Sequence, residues 1–96
     1  LHAACWSGNF EMVKFLIEEK KFNINQADNS GKTPLHIACE KWRLDIVKFL
    51  IEKGANINKR DQYYRTPLLI ASKEGRLDIV SFLIEKGADI TNVQGT

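Results

Sequence analysis

A chain that repeats itself at a fixed interval has to fold as a row of similar units, and this one repeats about every 33 residues. Residues 33–58 laid over residues 66–91 agree at 18 of 26 positions, where composition alone gives about one or two. Leu1-His2-Ala3-Ala4-Cys5 lies over Leu35-His36-Ile37-Ala38-Cys39 at a spacing of 34, which puts one extra residue in the first copy around Glu19-Lys20-Lys21-Phe22. The expected units are therefore residues 1–32, 33–65 and 66–96, within a single domain. The first lacks the opening that the other two share, so it reads as truncated at its N-terminus. Stacked arrays normally end in units with polar outer faces. Neither end shows one, so the chain is expected to be an excerpt of a longer array.

Each complete copy opens on Thr-Pro-Leu, at Thr33-Pro34-Leu35 and Thr66-Pro67-Leu68. A threonine oxygen accepts the unpaired N–H groups of a first helical turn, and proline at the next position has the right φ and no N–H to leave unpaired. A short helix is expected from each Thr-Pro to near Lys41 and its equivalent. The small residues Ala4, Ala38 and Ala71 in register on these helices allow a neighbour to approach closely. A second helix is expected over Leu44 to Lys53, with equivalents at Phe10 to Glu19 and Leu77 to Lys86. Its apolar positions 44, 46, 47, 49, 50 and 51 cover most of the circumference, and Asp45, Lys48 and Glu52 leave one narrow polar stripe. One helix pair cannot bury so much apolar surface, so the pairs must lie side by side. Gly54 and Gly87 stand where a left-handed residue closes such a helix. Asn23 to Lys32 and Asn56 to Arg65 then carry turn chemistry, and Asp28-Asn29-Ser30-Gly31 reads as the tip of a projecting finger.

These residues resemble the ankyrin repeat: Thr33-Pro34-Leu35-His36-Ile37-Ala38, then Leu44-Asp45-Ile46-Val47, then Leu50-Ile51-Glu52-Lys53-Gly54-Ala55-Asn56-Ile57-Asn58. The resemblance covers nearly the whole chain. It implies an all-α solenoid of stacked antiparallel helix pairs with projecting β-hairpin-like loops, and a protein partner held on loop tips and inner helices. It further implies that His36 bonds Thr33 and nearby backbone, and that Asn25 and Asn58 occupy positions where such repeats accept a hydroxyl group. Three positions depart from the pattern. Trp42 stands where Gly8 and Gly75 end the first helix, Tyr64 stands where Gly31 closes the finger, and Leu69 replaces His2 and His36. A bulky residue at positive φ costs about 1 kcal/mol or more, so these turns are expected to be remodelled or strained.

Several function classes are disfavoured. The net charge is +2, with Lys20-Lys21, Lys59-Arg60 and Arg65 scattered over different copies, so no nucleic-acid footprint forms. The longest apolar run, Leu68-Leu69-Ile70-Ala71, is far short of the ~18 to 20 residues that span a bilayer. Cys5 and Cys39 are the only thiols, too few for a disulfide framework, and an intracellular, cytoplasmic location is expected. His2 with Cys5 and His36 with Cys39 suggest zinc. Neighbouring helices stand about 8 to 10 Å apart, however, and a zinc site needs four ligands within about 2.3 Å of one ion. The same spacing argues against a Cys5–Cys39 disulfide. No nucleophile, base and orienting group converge, so neither an enzyme nor a cofactor is expected. The acids Glu11, Asp45 and Asp78 sit where they offset helix dipoles.

In a repeat protein, repetition marks scaffold and deviation marks function. The positions that differ between copies and fall on fingers or first-helix ends are Trp6, Ser7, Asn29, Ser30, Lys32, Glu40, Lys41, Gln62, Tyr63, Tyr64, Arg65, Lys73 and Glu74. Tyr63-Tyr64-Arg65 is the sharpest cluster, because Tyr and Arg dominate interface energetics. One of these tyrosines packing against the adjacent finger is the plainer alternative. Trp42 is expected to cover the loop between helices, since large aromatics are usually more than half buried. The expected function is non-catalytic protein binding on a concave surface, the alternative being an architectural spacer without its own ligand. End-to-end self-stacking through uncapped terminal repeats is a further expectation.

Overall fold

Threonine caps and glycine stops divide the chain into three helix pairs, and a computed structural model that describes residues 1–90 has that order. The first helices are α1 (His2–Ser7), α3 (Pro34–Glu40) and α5 (Pro67–Lys73). The second are α2 (Phe10–Lys14), which runs on into a π-helical turn (Phe15–Glu19), α4 (Leu44–Glu52) and α6 (Leu77–Glu85). No β-strand occurs among the described residues. First helices stack on first helices and second on second, α1 on α3 on α5 and α2 on α4 on α6. The result is a slab of 41 × 26 × 21 Å. Its core runs along the stack from Ala4, Cys5 and Val13 through Leu35, Ile46 and Leu50 to Leu68, Ile79 and Leu83.

The caps form as the residue types require. Thr33 Oγ1 accepts the His36 N–H at 3.5 Å, and His36 Nδ1 accepts the Thr33 N–H at 3.1 Å, a reciprocal box with histidine in the usual place of glutamate. With Nδ1 accepting, Nε2 carries the proton and donates to the Arg65 carbonyl at 2.8 Å, in the following finger. His2 Nε2 repeats that strut to the Lys32 carbonyl at 2.9 Å. Leu69 keeps only the threonine half, with its N–H on Thr66 Oγ1 at 3.2 Å. In α4, Ile46, Val47, Phe49 and Leu50 are buried and the Asp45, Lys48, Glu52 stripe is exposed, as the spacing demands. Asn25 and Asn58 act as rungs, their side-chain oxygens accepting the Asn56 and Asp89 N–H groups at 2.8 Å.

The extra residue of the first copy is absorbed upstream of its expected place. Within the π turn, Lys20 N–H reaches Phe15 O at 3.2 Å, and Phe22 N–H closes on Leu16 O at 3.0 Å. In the second pair the equivalent closure is Ala55 N–H on Leu50 O, one residue sooner. Widening one turn keeps both the helix face and the finger in register. It also leaves Lys21, at φ 57°, where Gly54 and Gly87 stand at φ 95° and 94°. The strain expected at Trp42 and Tyr64 is present, at φ 64° and 63°.

Candidate functional site

The fingers are built on one aspartate each. Asp28 Oδ1 accepts the N–H groups of Ser30 and Lys32 at 2.8 and 2.9 Å, and Asp61 Oδ1 accepts those of Tyr63 and Arg65, both at 2.9 Å. Main-chain bonds from Gly31 to Asp28 and from Tyr64 to Asp61 close the tips, and Gln62 N–H donates to Ser30 O at 2.9 Å, joining one finger to the next. Gly31 is required there, since an added Cβ would come within 2.9 Å of the Gln62 nitrogen. Asp61 is buried, and Arg65 Nε donates to its Oδ2 at 2.9 Å. Burial alone would push the Asp61 carboxyl up. The Arg65 and Tyr63 N–H groups and the Arg65 guanidinium outweigh it, so it lies below the ordinary carboxylate range.

Arg65 is thereby held in place, with its guanidinium carbon 5.1 Å from the Tyr63 ring centroid. Tyr63 is 65% exposed and Tyr64 72% exposed, so neither is packed away against the adjacent finger. Trp6 is also exposed, with Lys41 Nζ 4.8 Å from its ring centroid. Lys32 Nζ bonds Glu40 at 3.0 Å, tying the first finger to α3.

Two depressions lie between the second and third repeats. A narrow one of about 60 Å³ is lined by Glu40, Arg65, Ile70, Lys73 and Glu74. A wider groove of about 290 Å³ is lined by Glu40, Lys41, Trp42 and Glu74. Small-molecule sites usually occupy about 300 to 1,000 Å³, so each of these is of side-chain size. Of the residues singled out by deviation, Glu40, Lys41, Arg65, Lys73 and Glu74 are thus brought together. Trp6, Ser7, Asn29, Ser30, Lys32, Gln62, Tyr63 and Tyr64 line neither depression. Ser7 Oγ turns back to the Ala4 carbonyl at 3.3 Å, and the Ser30 and Gln62 backbones are committed to each other.

Trp42 corrects an expectation. It is 51% exposed and walls the wider groove instead of covering the loop with more than half of its surface buried. Positive φ at this position turns its side chain across to the third repeat, where Nε1 donates to Glu74 Oε1 at 3.3 Å and the Arg76 guanidinium stacks 5.1 Å from the ring. Its departure from glycine was the visible signal, and burial statistics for tryptophan masked it. Arg43 and Arg76 were also passed over, because they repeat. Arg43 covers the equivalent loop of the first repeat, donating to the Trp6 carbonyl at 3.1 Å, and a Cβ on Gly8 would meet its guanidinium at 2.7 Å.

The thiols and imidazoles are engaged structurally. Cys5 and Cys39 have no exposed surface, and burial pushes the first thiol up to about 12 and the second higher. Burial lowers the His36 pKa against the opposing pull of the Arg65 carbonyl. No helix among the described residues is long and apolar enough to cross a membrane.

Comparison with known proteins agrees with this geometry. The family description "Ankyrin repeats (3 copies)" matches residues 1–94. Protein phosphatase 1 regulatory subunit 27 of Homo sapiens is 49% identical over 55 residues, which are 57% of this chain and 35% of that protein. Ankyrin repeat domain-containing protein 7 of Homo sapiens is 40% identical over 53 residues, 55% of this chain and 21% of the relative. Alpha-latrocrustotoxin-Lt1a of Latrodectus tredecimguttatus is 40% identical over 55 residues, 57% of this chain and 4% of the toxin. The similarity therefore spans about a third or less of these relatives' length. With three stacked helix pairs, reciprocal Thr-His capping and bridged fingers, the chain belongs to the ankyrin repeat family, whose members are generally non-catalytic protein-interaction modules.

Proposed function

We propose that this chain binds a protein partner across its finger tips and inner-helix ends, with Tyr63 and Arg65 as the anchoring pair. One observation carries the reading. Arg65 is fixed between the buried Asp61 carboxylate and the exposed Tyr63 ring, so a large aromatic and a guanidinium are presented together in one conformation before any partner arrives. Holding these side chains in place beforehand removes part of the ordering entropy that association otherwise costs. Glu40, Lys41, Lys73 and Glu74 border the same surface, and Trp6, Ser7, Asn29, Ser30, Lys32, Gln62 and Tyr64 extend it. A relative named as a regulatory subunit of a phosphatase supports a partner-binding role for such repeats. The proposed repeats are 1–32, 33–65 and 66–96, acting inside the cell without nucleic acid as ligand. Terminal repeats are proposed to stack on further repeats or on a second copy through exposed Leu77 and Ile84.

Cross-linking in cells, with and without a Tyr63→Ala/Arg65→Ala pair of substitutions, tests the reading. Loss of a cross-linked protein from the double variant supports it. Retention of every cross-linked protein favours a spacer that holds neighbouring segments apart.

A further inference from the structure

Charge balance around the wider groove is uneven. Most of the neighbouring cations already have an anion or a ring: Lys32 bonds Glu40, Arg65 bonds Asp61, Arg76 bonds Asp78 at 3.3 Å, and the Lys41 ammonium sits over Trp6. Among the described residues Glu74 bonds the indole N–H of Trp42, a neutral donor, and forms no ion pair. Glu40 shares one oxygen with Lys32 and lines the groove as well. Lys73 lines the narrower depression together with these two acids but forms no ion pair with either among the described residues. The groove, of about 290 Å³, is thus lined by two carboxylates, a half-exposed indole and Lys41, whose ammonium is turned onto the Trp6 ring. An aromatic face beside carboxylates attracts an organic cation through the ring quadrupole and through charge-assisted hydrogen bonds.

We infer that the groove between the second and third repeats, walled by Glu40, Trp42 and Glu74, is a receptor for an arginine side chain of the partner protein. The guanidinium lies along the indole face that Arg76 does not cover and donates to Glu74 and to the second oxygen of Glu40. Arginine suits the groove better than lysine because its planar fork meets two acceptors at once and stacks on a ring. The inference rests on the partner-binding reading and adds the chemistry of one subsite to it. It also accounts for a large residue at positive φ: a glycine at position 42 would close the same turn without strain, but the groove would lose its wall.

The test is a ¹⁵N–¹H titration of the 96-residue chain with acetyl-Gly-Arg-Gly-amide, and with the Lys and Glu forms of the same peptide. The chain has two tryptophans, so two indole cross-peaks serve as site probe and internal control. The expected result is a saturable shift of the Trp42 indole with the arginine peptide, weaker with lysine and absent with glutamate. Glu40→Gln/Glu74→Gln should weaken it about tenfold or more. Trp42→Gly should remove saturable shifts at the Glu40 and Glu74 amides while the remaining spectrum stays folded. The inference is overturned if the glutamate peptide shifts the Trp42 indole as strongly, if the arginine peptide shifts neither the indole nor the two glutamate amides, or if the double glutamine variant binds unchanged. Failure here with cross-linking still lost in the Tyr63/Arg65 variant would remove the subsite and leave the partner-binding reading standing.

Discussion

Replacing His36 with leucine, the residue that the third repeat itself carries at position 69, isolates the strut between α3 and the finger that follows it. The substitution removes three polar contacts: Thr33 N–H on Nδ1, Thr33 Oγ1 with Nδ1, and Nε2–H on the Arg65 carbonyl. The two ends respond differently. The Arg65 carbonyl keeps a second bond from Asp61 N–H at 3.0 Å, so it is not orphaned. Thr33 is buried and its N–H makes no other hydrogen bond among the described residues, so it bears the desolvation penalty of about 1 to 3 kcal/mol. Leucine recovers part of this by burying apolar surface, which leaves a net loss of about 2 kcal/mol. At about 0.05 to 0.15 kcal/mol per residue, a chain of 96 residues has about 5 to 14 kcal/mol in total. The change should therefore lower Tm by about 10 °C.

The pH dependence of the loss separates the strut from simple packing. Burial lowers the folded pKa of His36 below its ordinary 6.5, so the unfolded chain takes up a proton that the folded chain resists. Wild-type stability from this group is complete above pH 6.5 and declines as the pH falls toward the lowered value, by no more than about 1.4 kcal/mol per pH unit for one proton. Leucine has no such term. Urea unfolding followed by far-UV circular dichroism at pH 7.5 and 5.5 should show a penalty that is largest at 7.5 and shrinks at 5.5. His2 is present in both proteins and cancels. An equal penalty at both pH values, or none at 7.5, would refute the reasoning.

Four further outcomes are expected, the first a contrast between two glycines. Gly31→Ala should cost about 2 kcal/mol or more in urea unfolding, because its Cβ meets the Gln62 nitrogen at 2.9 Å. Gly54→Ala, with open space around it, should lose only the torsional part, about 1 kcal/mol. Tyr64→Asn should raise stability by about 0.5 to 1 kcal/mol, since Asn tolerates φ near 63° and the tyrosine is mostly exposed; an unchanged Tm would mean the turn relaxes at no cost. Asp61→Asn should lower stability most at neutral pH and progressively less below pH 3.8, where the wild-type carboxyl, held low by Arg65 and two N–H groups, begins to be protonated as well. Native Cys5 and Cys39 should react with a disulfide reagent at least about a hundredfold more slowly than in denaturant, and rapid labelling at neutral pH would contradict their burial.

Most of the fold was legible because each feature rests on local chemistry that recurs. Thr33 and Thr66 cap, Pro34 and Pro67 start, Gly54 and Gly87 stop, and the 44 to 51 apolar pattern leaves a single possible outer stripe. What was illegible depends on hydrogen bonds that register alone does not specify. An alignment shows that a residue is extra somewhere near Lys20. Whether it widens a helical turn or lengthens a loop is decided by whether Phe15 O finds a donor five residues on, and it does. Arg43 and Arg76 were illegible for another reason. Their sequence context is the same, but the loop below one is Gly8 and below the other Trp42, so one guanidinium lies against backbone and the other on an indole.

Deviation from the repeat pattern is thus a necessary but insufficient guide to the site. Lys21, Trp42 and Tyr64 all hold positive φ where glycine stands in a sister repeat, and each bears a similar torsional cost. Lys21 is accounted for by the π turn that precedes it, which delivers whatever residue lies there into the left-handed position. Tyr64 closes a finger whose geometry Asp61 already fixes. Of these three, Trp42 is tied to the next repeat by a hydrogen bond and a stacked guanidinium while it is half exposed and lines a groove. Strain that the neighbouring scaffold explains is a by-product of packing, whereas the strain at Trp42 builds the wall that the proposed arginine subsite uses. On that criterion the proposed subsite at Trp42 and Glu74 adjoins the proposed Tyr63–Arg65 anchor through the depression that Arg65 and Glu74 share, and the remaining deviant positions are its proposed rim.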